Sequence, residues 1–119
     1  MEKEERKTLV QKIGLKEKDG LSIANKYYSL LSAISNIKLT EREVQLVAFT
    51  AIRGNISYSN NREDFCTLYK SSPPTINNMI SKLKKLKLLT KDGGKIKVAP
   101  RFLIDFESNL SILINIQHG

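Results

Sequence analysis

Residues 71–100 read SSPPTINNMISKLKKLKLLTKDGGKIKVAP, and this stretch decides the fold. Proline disfavours helical geometry in the residue before it and suits the first turn of a helix, so Ser72 is predicted to cap a helix that the proline pair opens. Apolar residues then recur at three- and four-residue spacing, which predicts an amphipathic helix over residues 73–88. Its apolar side consists of Ile76, Met79, Ile80, Leu83 and Leu86. Thr90–Gly94 supplies turn residues before an alternating run, which predicts a β-hairpin over residues 89–98.

The same part of the chain holds the positive charge. Lys70 to Arg101 contains nine basic side chains and one acid, Asp92, so its net charge equals the +8 of the whole chain. A localised positive field attracts a polyanion by releasing its condensed counterions, and nucleic acid is the commonest such partner. We therefore expect a nucleic acid as the partner, with no membrane partner and no evident small-molecule substrate.

Two helices are predicted before this segment. Residues 2–13 carry both charge signs, and the short apolar stripe of Leu9, Val10 and Ile13 predicts a short helix, followed by a loop from Gly14 to Gly20. Leu21 to about Asn36 has helical apolar spacing. The adjacent Tyr27 and Tyr28 make that helix a candidate for dimerisation, although burial against the core is the favoured role.

Two more helix starts stand between residues 40 and 70. Thr40-Glu41-Arg42-Glu43 forms a capping box, which predicts a core helix ending near Gly54. Residues 55–60 then predict a polar loop. Asn61 is predicted as the N-cap of a helix of about two turns, with Glu63 and Asp64 in its first turn.

The tail, residues 102–119, contains no lysine, and β-branched and aromatic residues alternate along it. This pattern predicts a second β-hairpin, and a helix that uses Leu103, Phe106, Leu110 and Leu113 remains the alternative. A charge-poor hairpin offers open edges that need pairing. We therefore expect a homo-oligomer, a dimer or larger, joined through this extension.

Composition excludes several classes of function. With 119 residues, the chain suits one domain, and it has no apolar run long enough for a membrane span, so a cytoplasmic protein is expected. One cysteine, Cys66, and one histidine, His118, provide neither a disulfide nor a metal site. Cys66 is predicted to be a buried thiol.

The residue types in the chain and their positions argue against an enzyme. The acidic residues are scattered along the chain, and their positions suit charges at helix starts better than a general acid/base pair. Gly93-Gly94 precedes a strand and not a helix, so no phosphate-binding loop is predicted. We expect no catalytic activity and no cofactor.

The order of elements from Leu39 to Arg101 resembles the winged helix-turn-helix family of DNA-binding domains, and residues 71–100 carry the most specific part of the resemblance. The chain differs from common members in its proline-rich turn and short wing. The resemblance implies a mainly α fold with a small β component and double-stranded DNA as the partner, in which helix 73–88 enters the major groove and hairpin 89–98 is the wing. The expected organisation is a charged arm (residues 1–20), a winged-helix domain (residues 21–101, core 39–101) and the C-terminal extension (residues 102–119).

Candidate DNA-binding residues follow from the helical wheel. With Ile76, Ile80 and Leu83 turned to the core, the opposite side of the helix presents amides, hydroxyls and amines that can contact base edges. The candidate base readers are Thr75, Asn77, Asn78, Ser81 and Lys82. Phosphate contacts are expected from Lys84, Lys85 and Lys87, and from the Ser72 hydroxyl with the first helix amides. Lys91 and Lys95 on the hairpin are expected to reach either the DNA backbone or the adjacent minor groove.

Three biological roles fit this chemistry. A transcriptional regulator is the favoured one. The alternatives are a phage-type DNA-packaging or virion-associated assembly protein that oligomerises through its tail, and a replication initiation protein.

Overall fold

The structure is a computed structural model that describes the backbone of residues 2–103 and the side chains of residues 17–103. Four helices precede a two-stranded antiparallel hairpin, which confirms the mainly α class with a small β component. The elements are α1 (Glu2–Ile34), α2 (Glu41–Arg53), α3 (Ser59–Tyr69), α4 (Pro73–Lys85), β1 (Leu89–Asp92) and β2 (Lys95–Val98). A short 3₁₀ helix, Pro100–Phe102, follows them.

Helix α1 is one continuous helix of 33 residues, so the predicted loop from Gly14 to Gly20 is wrong. Gly20 is buried, and a Cβ built on it would lie 3.2 Å from Cδ1 of Ile52 in α2. The absence of a side chain therefore permits a close approach of two helices. Glu17, one turn earlier, pairs with Arg53 at the end of α2. These tertiary contacts offset the roughly 1 kcal/mol that glycine costs a helix.

Helix α2 starts at the predicted capping box. The Thr40 hydroxyl accepts from the Glu43 amide at 3.2 Å, and the Glu43 carboxylate accepts from the Thr40 amide at 2.7 Å. The helix ends where predicted, at Gly54, whose φ of 92° lies in the left-handed region. Because it packs against α1, α3, α4 and β2, α2 is the central element of the core. Its buried apolar residues are Val44, Leu46, Val47, Ala48 and Phe49.

Helix α3 begins at Ser59 with Tyr58 at the N-cap, so the predicted N-cap at Asn61 is wrong. The turn before the helix is held by Asn55, whose side-chain oxygen accepts from the Ser57 and Tyr58 amides at 3.0 Å each. This turn lets the helix start earlier. Asn61 is buried instead, where its side-chain amide donates to the Asn55 carbonyl at 3.1 Å.

Helix α3 also carries Cys66, which is half-buried against the core. Burial raises the pKa of its thiol, and nearby Arg62 opposes this effect without cancelling it. The thiol thus packs as a small apolar group, although it is less buried than the sequence predicted.

Helix α4 follows Ser72 as predicted but stops at Lys85, short of the predicted Leu88. The chain turns there because Lys87 adopts a left-handed conformation, with φ at 63°. The Leu88 amide donates to the Leu83 carbonyl and the Lys87 amide to the Lys84 carbonyl, each at 3.0 Å, which is a Schellman motif. Leu88, 3% exposed, then points into the core.

The hairpin is confirmed, with Leu89 opposite Val98 and Asp92 opposite Lys95. Its turn is only Gly93-Gly94, both at positive φ, so residues 90–92 belong to β1 and not to the predicted turn. The Ile56 amide donates to the Ile96 carbonyl at 2.9 Å, and the Ile96 amide donates to the Ser57 hydroxyl at 2.7 Å. These bonds join the loop between α2 and α3 to β2.

The end of the described chain returns to α1, because the Tyr28 hydroxyl donates to the Phe102 carbonyl at 2.7 Å. The predicted C-terminal hairpin starts at Phe102, which lies in the 3₁₀ helix and not in a strand. Leu103, the first residue of the alternative helix, is extended and not helical. The remaining residues of the hairpin and of the alternative helix lie at 104–119, outside the described residues. Within residues 2–103, no helix has both the length and the apolarity to cross a membrane.

We predict that Glu43→Ala lowers the free energy of unfolding by at least about 1 kcal/mol, because it removes the carboxylate that closes the capping box and also accepts from Lys82. Glu41→Ala is the matched control, since Glu41 is an exposed acid in the same helical turn. It should cost only about 0.3–0.5 kcal/mol through the helix dipole. Urea unfolding at neutral pH measures both, and equal losses would contradict the role given to Glu43.

The same carboxylate predicts a pH dependence. Burial raises the pKa of Glu43, but hydrogen bonds from the Thr40 amide and the Lys82 ammonium outweigh it and hold the pKa below its ordinary value. The stabilisation that the Glu43 carboxylate provides is therefore complete at pH values above its pKa in the unfolded chain, about 4.3. It is lost as the pH falls through the lower pKa of the folded state. Glu43→Gln should lose less stability over that acidic range than the wild type.

Candidate nucleic-acid interface

Helix α4 separates its apolar and polar residues onto opposite sides. Ile76, Met79, Ile80 and Leu83 are all buried, at 8% exposure or less. On a helical wheel at 100° per residue, the side opposite these apolar residues carries Asn78, Ser81 and Lys85, and all three are exposed. The remaining candidate residues on or beside the helix are also exposed: Ser72, Thr75, Asn77, Lys82, Lys84 and Lys87. We call this set the α4 polar face.

One of the predicted base readers is already paired within the protein. Lys82 Nζ lies 2.9 Å from Oε1 of Glu43, whose side chain is 7% exposed, and 3.4 Å from the Lys38 carbonyl oxygen. The carboxylate therefore accepts from both the α2 cap and α4. A base or phosphate that recruits Lys82 must compete with this ion pair.

The Asn77 side chain accepts a hydrogen bond from a residue that was not among the predicted site residues. Arg62 of α3 donates from Nη1 to the Asn77 side-chain oxygen at 2.8 Å, and from Nε to the Ile56 carbonyl at 2.8 Å. This bridge leaves the Asn77 amide nitrogen as the group able to donate outward. Arg62 had no distinguishing signal in the sequence, where it stands beside Glu63 and Asp64 as one of several charges.

The start of α4 offers hydroxyls and few amides to a phosphate. Ser72 occupies the N-cap, but its hydroxyl makes no capping bond and lies 2.9 Å from the Thr75 hydroxyl. The two prolines have no N–H, and the Ile76 amide donates to the Ser72 carbonyl at 3.0 Å. The predicted cradle of first-turn amides is thus weaker than expected, and the Ser72 and Thr75 hydroxyls are its main polar groups.

The end of α4 and the hairpin meet at an open groove of about 460 Å³. Lys84, Lys87 and Arg101 supply positive charge to its walls, and the other lining residues are Leu89, Thr90, Ala99 and Pro100. The structure therefore brings together two of the predicted phosphate contacts, Lys84 and Lys87. It adds Arg101, which was not among the predicted contacts.

The two hairpin lysines lie on opposite faces of the ribbon. Lys91 pairs with Ile96, on the side of Leu89 and Val98, whereas Lys95 pairs with Asp92 on the other side. Lys91 is exposed near the hairpin tip. Lys95 Nζ lies 4.9 Å from the ring centre of the exposed Tyr58, a cation–π distance, so Lys95 faces the start of α3.

Comparison of the chain with protein families, with curated proteins and with solved structures found no match. Function is therefore inferred from the charges and contacts of the described residues.

We predict that Lys82→Ala destabilises the fold, because it leaves the buried Glu43 carboxylate without its cationic partner. Lys82 is 45% exposed, so solvent screening limits the loss to at most about 1 kcal/mol. Lys85→Ala is the matched control, since Lys85 is exposed and makes no ion pair among residues 17–103. Chemical denaturation should show a loss for Lys82→Ala alone, and equal midpoints would contradict the ion pair.

We also predict that Lys87→Gly raises the free energy of unfolding by up to about 1 kcal/mol, because glycine adopts a left-handed conformation without the cost that a side chain adds. Lys87→Ala removes the same charge but keeps the Cβ, so it should give no gain. Thermal unfolding of the two variants separates backbone strain from charge, and a similar stabilisation by both would mean that charge repulsion is the cause.

Proposed function

We propose that this chain is a winged helix-turn-helix DNA-binding protein that acts as a transcriptional regulator, with α4 in the major groove and the β1–β2 hairpin as the wing. The observation that carries the proposal is the exposure of the whole α4 polar face beside a basic hairpin. A polyanion can approach this surface without displacing any core side chain. Its polar groups match the acceptors and donors on base edges.

The arrangement of elements supports this proposal. Helices α2, α3 and α4 pack on one another, and a hairpin follows α4 directly. The bond between Ile56 and Ile96 ties the loop before α3 to the hairpin. A recognition helix supported by two others and flanked by a ribbon is the geometry that lets a helix enter a groove while the ribbon contacts the backbone.

The contacts divide the candidate residues by role. Asn78, Ser81 and Lys85 lie farthest from the core and are the proposed base readers. Asn77 retains its amide nitrogen for donation, which suits acceptors such as guanine O6 and N7 or thymine O4. Lys82 contributes less to DNA binding, since its ammonium is already paired with the Glu43 carboxylate.

The groove at the end of α4 provides the backbone contacts. Lys84, Lys87 and Arg101 line it, and Lys91 extends positive charge toward the hairpin tip. Lysine and arginine at such positions fix the register of a protein on a duplex without reading sequence. Base contacts on the α4 centre line and phosphate contacts at its end are together what a sequence-selective regulator needs.

The test is a salt-titrated binding assay on duplex DNA. Each neutralised phosphate contributes a slope of about −0.9 to log K against log salt. Lys84→Ala should therefore weaken binding and flatten that slope by about one unit. Lys18→Ala removes an exposed lysine of α1 as the matched control and should change neither quantity.

Selection from a random duplex pool tests the base readers. Asn78→Ala should change the selected sequence at one position while leaving the salt slope intact, because an asparagine carries no charge. The DNA-binding proposal fails if Lys84→Ala and Lys18→Ala behave alike. The regulator role fails if the wild type selects no sequence.

A further inference from the structure

Arg62 connects the interior of the protein to the α4 polar face. It lies in α3, and its Nη1 donates to the Asn77 side-chain oxygen in α4 at 2.8 Å. Its Nε donates to the Ile56 carbonyl at 2.8 Å. Ile56 is fully buried, and its amide donates to the Ile96 carbonyl in β2. One part of the guanidinium is therefore anchored to buried backbone, while another part holds an exposed side chain.

The chemistry of the guanidinium fixes the orientation of the Asn77 amide. Arginine has N–H donors and no acceptor, so only the oxygen of an amide can face it. If the amide turned over, its nitrogen would meet the N–H groups of Arg62, donor against donor. The Asn77 oxygen is therefore held toward Arg62. Because Asn77 is exposed, its amide nitrogen remains accessible to an acceptor on a bound partner.

The orientation of the amide decides which base edge it suits. Guanine presents the acceptors O6 and N7 in the major groove, and thymine presents the acceptor O4. Adenine presents the donor N6 beside its acceptor N7, and an asparagine pairs with it through both ends of the amide. With Arg62 on the Asn77 oxygen, the N6 donor of adenine would lie against the guanidinium donors. The Arg62–Asn77 pair thus favours guanine or thymine over adenine.

We propose that Arg62 is a positioning residue that sets the base preference of Asn77, so that α4 accepts guanine or thymine at the position that Asn77 contacts. This inference rests on the proposed DNA-binding function. It assigns part of the sequence selectivity to a residue of α3, outside the helix that contacts the bases.

The test is selection of binding sites from a random duplex pool by the full chain, followed by affinity measurements on single duplexes. Asn77→Ala identifies the position that Asn77 contacts, because it should remove the base preference there. At that position the wild type should bind guanine or thymine at least about fivefold more tightly than adenine. Arg62→Gln should abolish this discrimination, because glutamine offers both a donor and an acceptor and lets the Asn77 amide turn over.

Arg42→Gln is the matched control. Arg42 lies in α2, outside the α4 polar face, and its Nη1 donates to the side-chain oxygen of Gln45 at 2.9 Å. The variant therefore removes the same charge and the same kind of bond, and it should leave the preference at every position unchanged. Adding Arg62→Gln to Asn77→Ala should change nothing further at the Asn77 position, since Arg62 acts through Asn77.

Asn77→Asp tests the same point with Arg62 intact. The carboxylate keeps an oxygen for Arg62 but replaces the outward donor with an acceptor. The preference should therefore move to cytosine, whose N4 is a donor. Circular dichroism checks the fold of every variant. If Arg62→Gln loses helical signal because the Ile56 carbonyl has lost its donor, Asn77→Asp alone decides the outcome.

Four outcomes overturn the inference. Asn77→Ala removes no base preference, folded Arg62→Gln keeps the wild-type preference, Arg62→Gln still changes the Asn77 position when Asn77 is alanine, or Asn77→Asp still selects guanine or thymine. In each case Lys84→Ala would still flatten the salt slope and Asn78→Ala would still change its own position, so the proposed function would stand. A wild type that selects no sequence overturns both the regulator role and this inference.

Discussion

The burial of one side of α4 against α2, α3 and β1 is the constraint on which the rest of the structure depends. Ile76, Met79, Ile80 and Leu83 are separated by three, one and three residues, so they form one stripe on the helix. Each such side chain contributes roughly 1.5–3 kcal/mol when it leaves water. Rotating the helix about its axis would expose several of them at once. The orientation of the polar face is therefore set by hydrophobic burial and not by the polar residues themselves.

Glu43 links the start of α2 to the function of α4. Its carboxylate accepts from the Thr40 amide and from Lys82, so one group caps a helix and restrains a cation on the proposed interface. Because that cation is neutralised internally, the positive field is concentrated farther along α4 and at the hairpin. The interface is thus uneven, with its strongest charge at Lys84, Lys87 and Arg101.

The left-handed conformation of Lys87 serves both the fold and the charged groove. It ends α4 and sends Leu88 into the core, which allows β1 to begin at once. Glycine is the residue usually found at this position of a Schellman motif. A lysine here accepts backbone strain and places a cation at the groove, which agrees with the general tendency of strained residues to occur at functional sites.

Local signals in the sequence determined most of the helix boundaries and the hairpin. The capping box of Thr40 and Glu43, the Ser-Pro-Pro start of α4 and the Gly93-Gly94 turn each act within about four residues, so their structure follows from the chain itself. The outward direction of Asn78, Ser81 and Lys85 likewise follows from helical spacing alone. These features required no knowledge of distant contacts.

The tertiary structure decided the features that depend on contacts between residues far apart in the sequence. Glu17 meets Arg53 across 36 residues, Lys82 meets Glu43 across 39 and Arg62 meets Asn77 across 15. No periodicity in the sequence encodes those pairs. Gly20 and Asn61 show the same limit, because glycine and asparagine also occur in loops and at caps, whereas here a neighbouring helix and a buried amide network hold them inside helices. Local residue chemistry thus determined where α2 and α4 start, and packing decided which of their side chains remain free to bind.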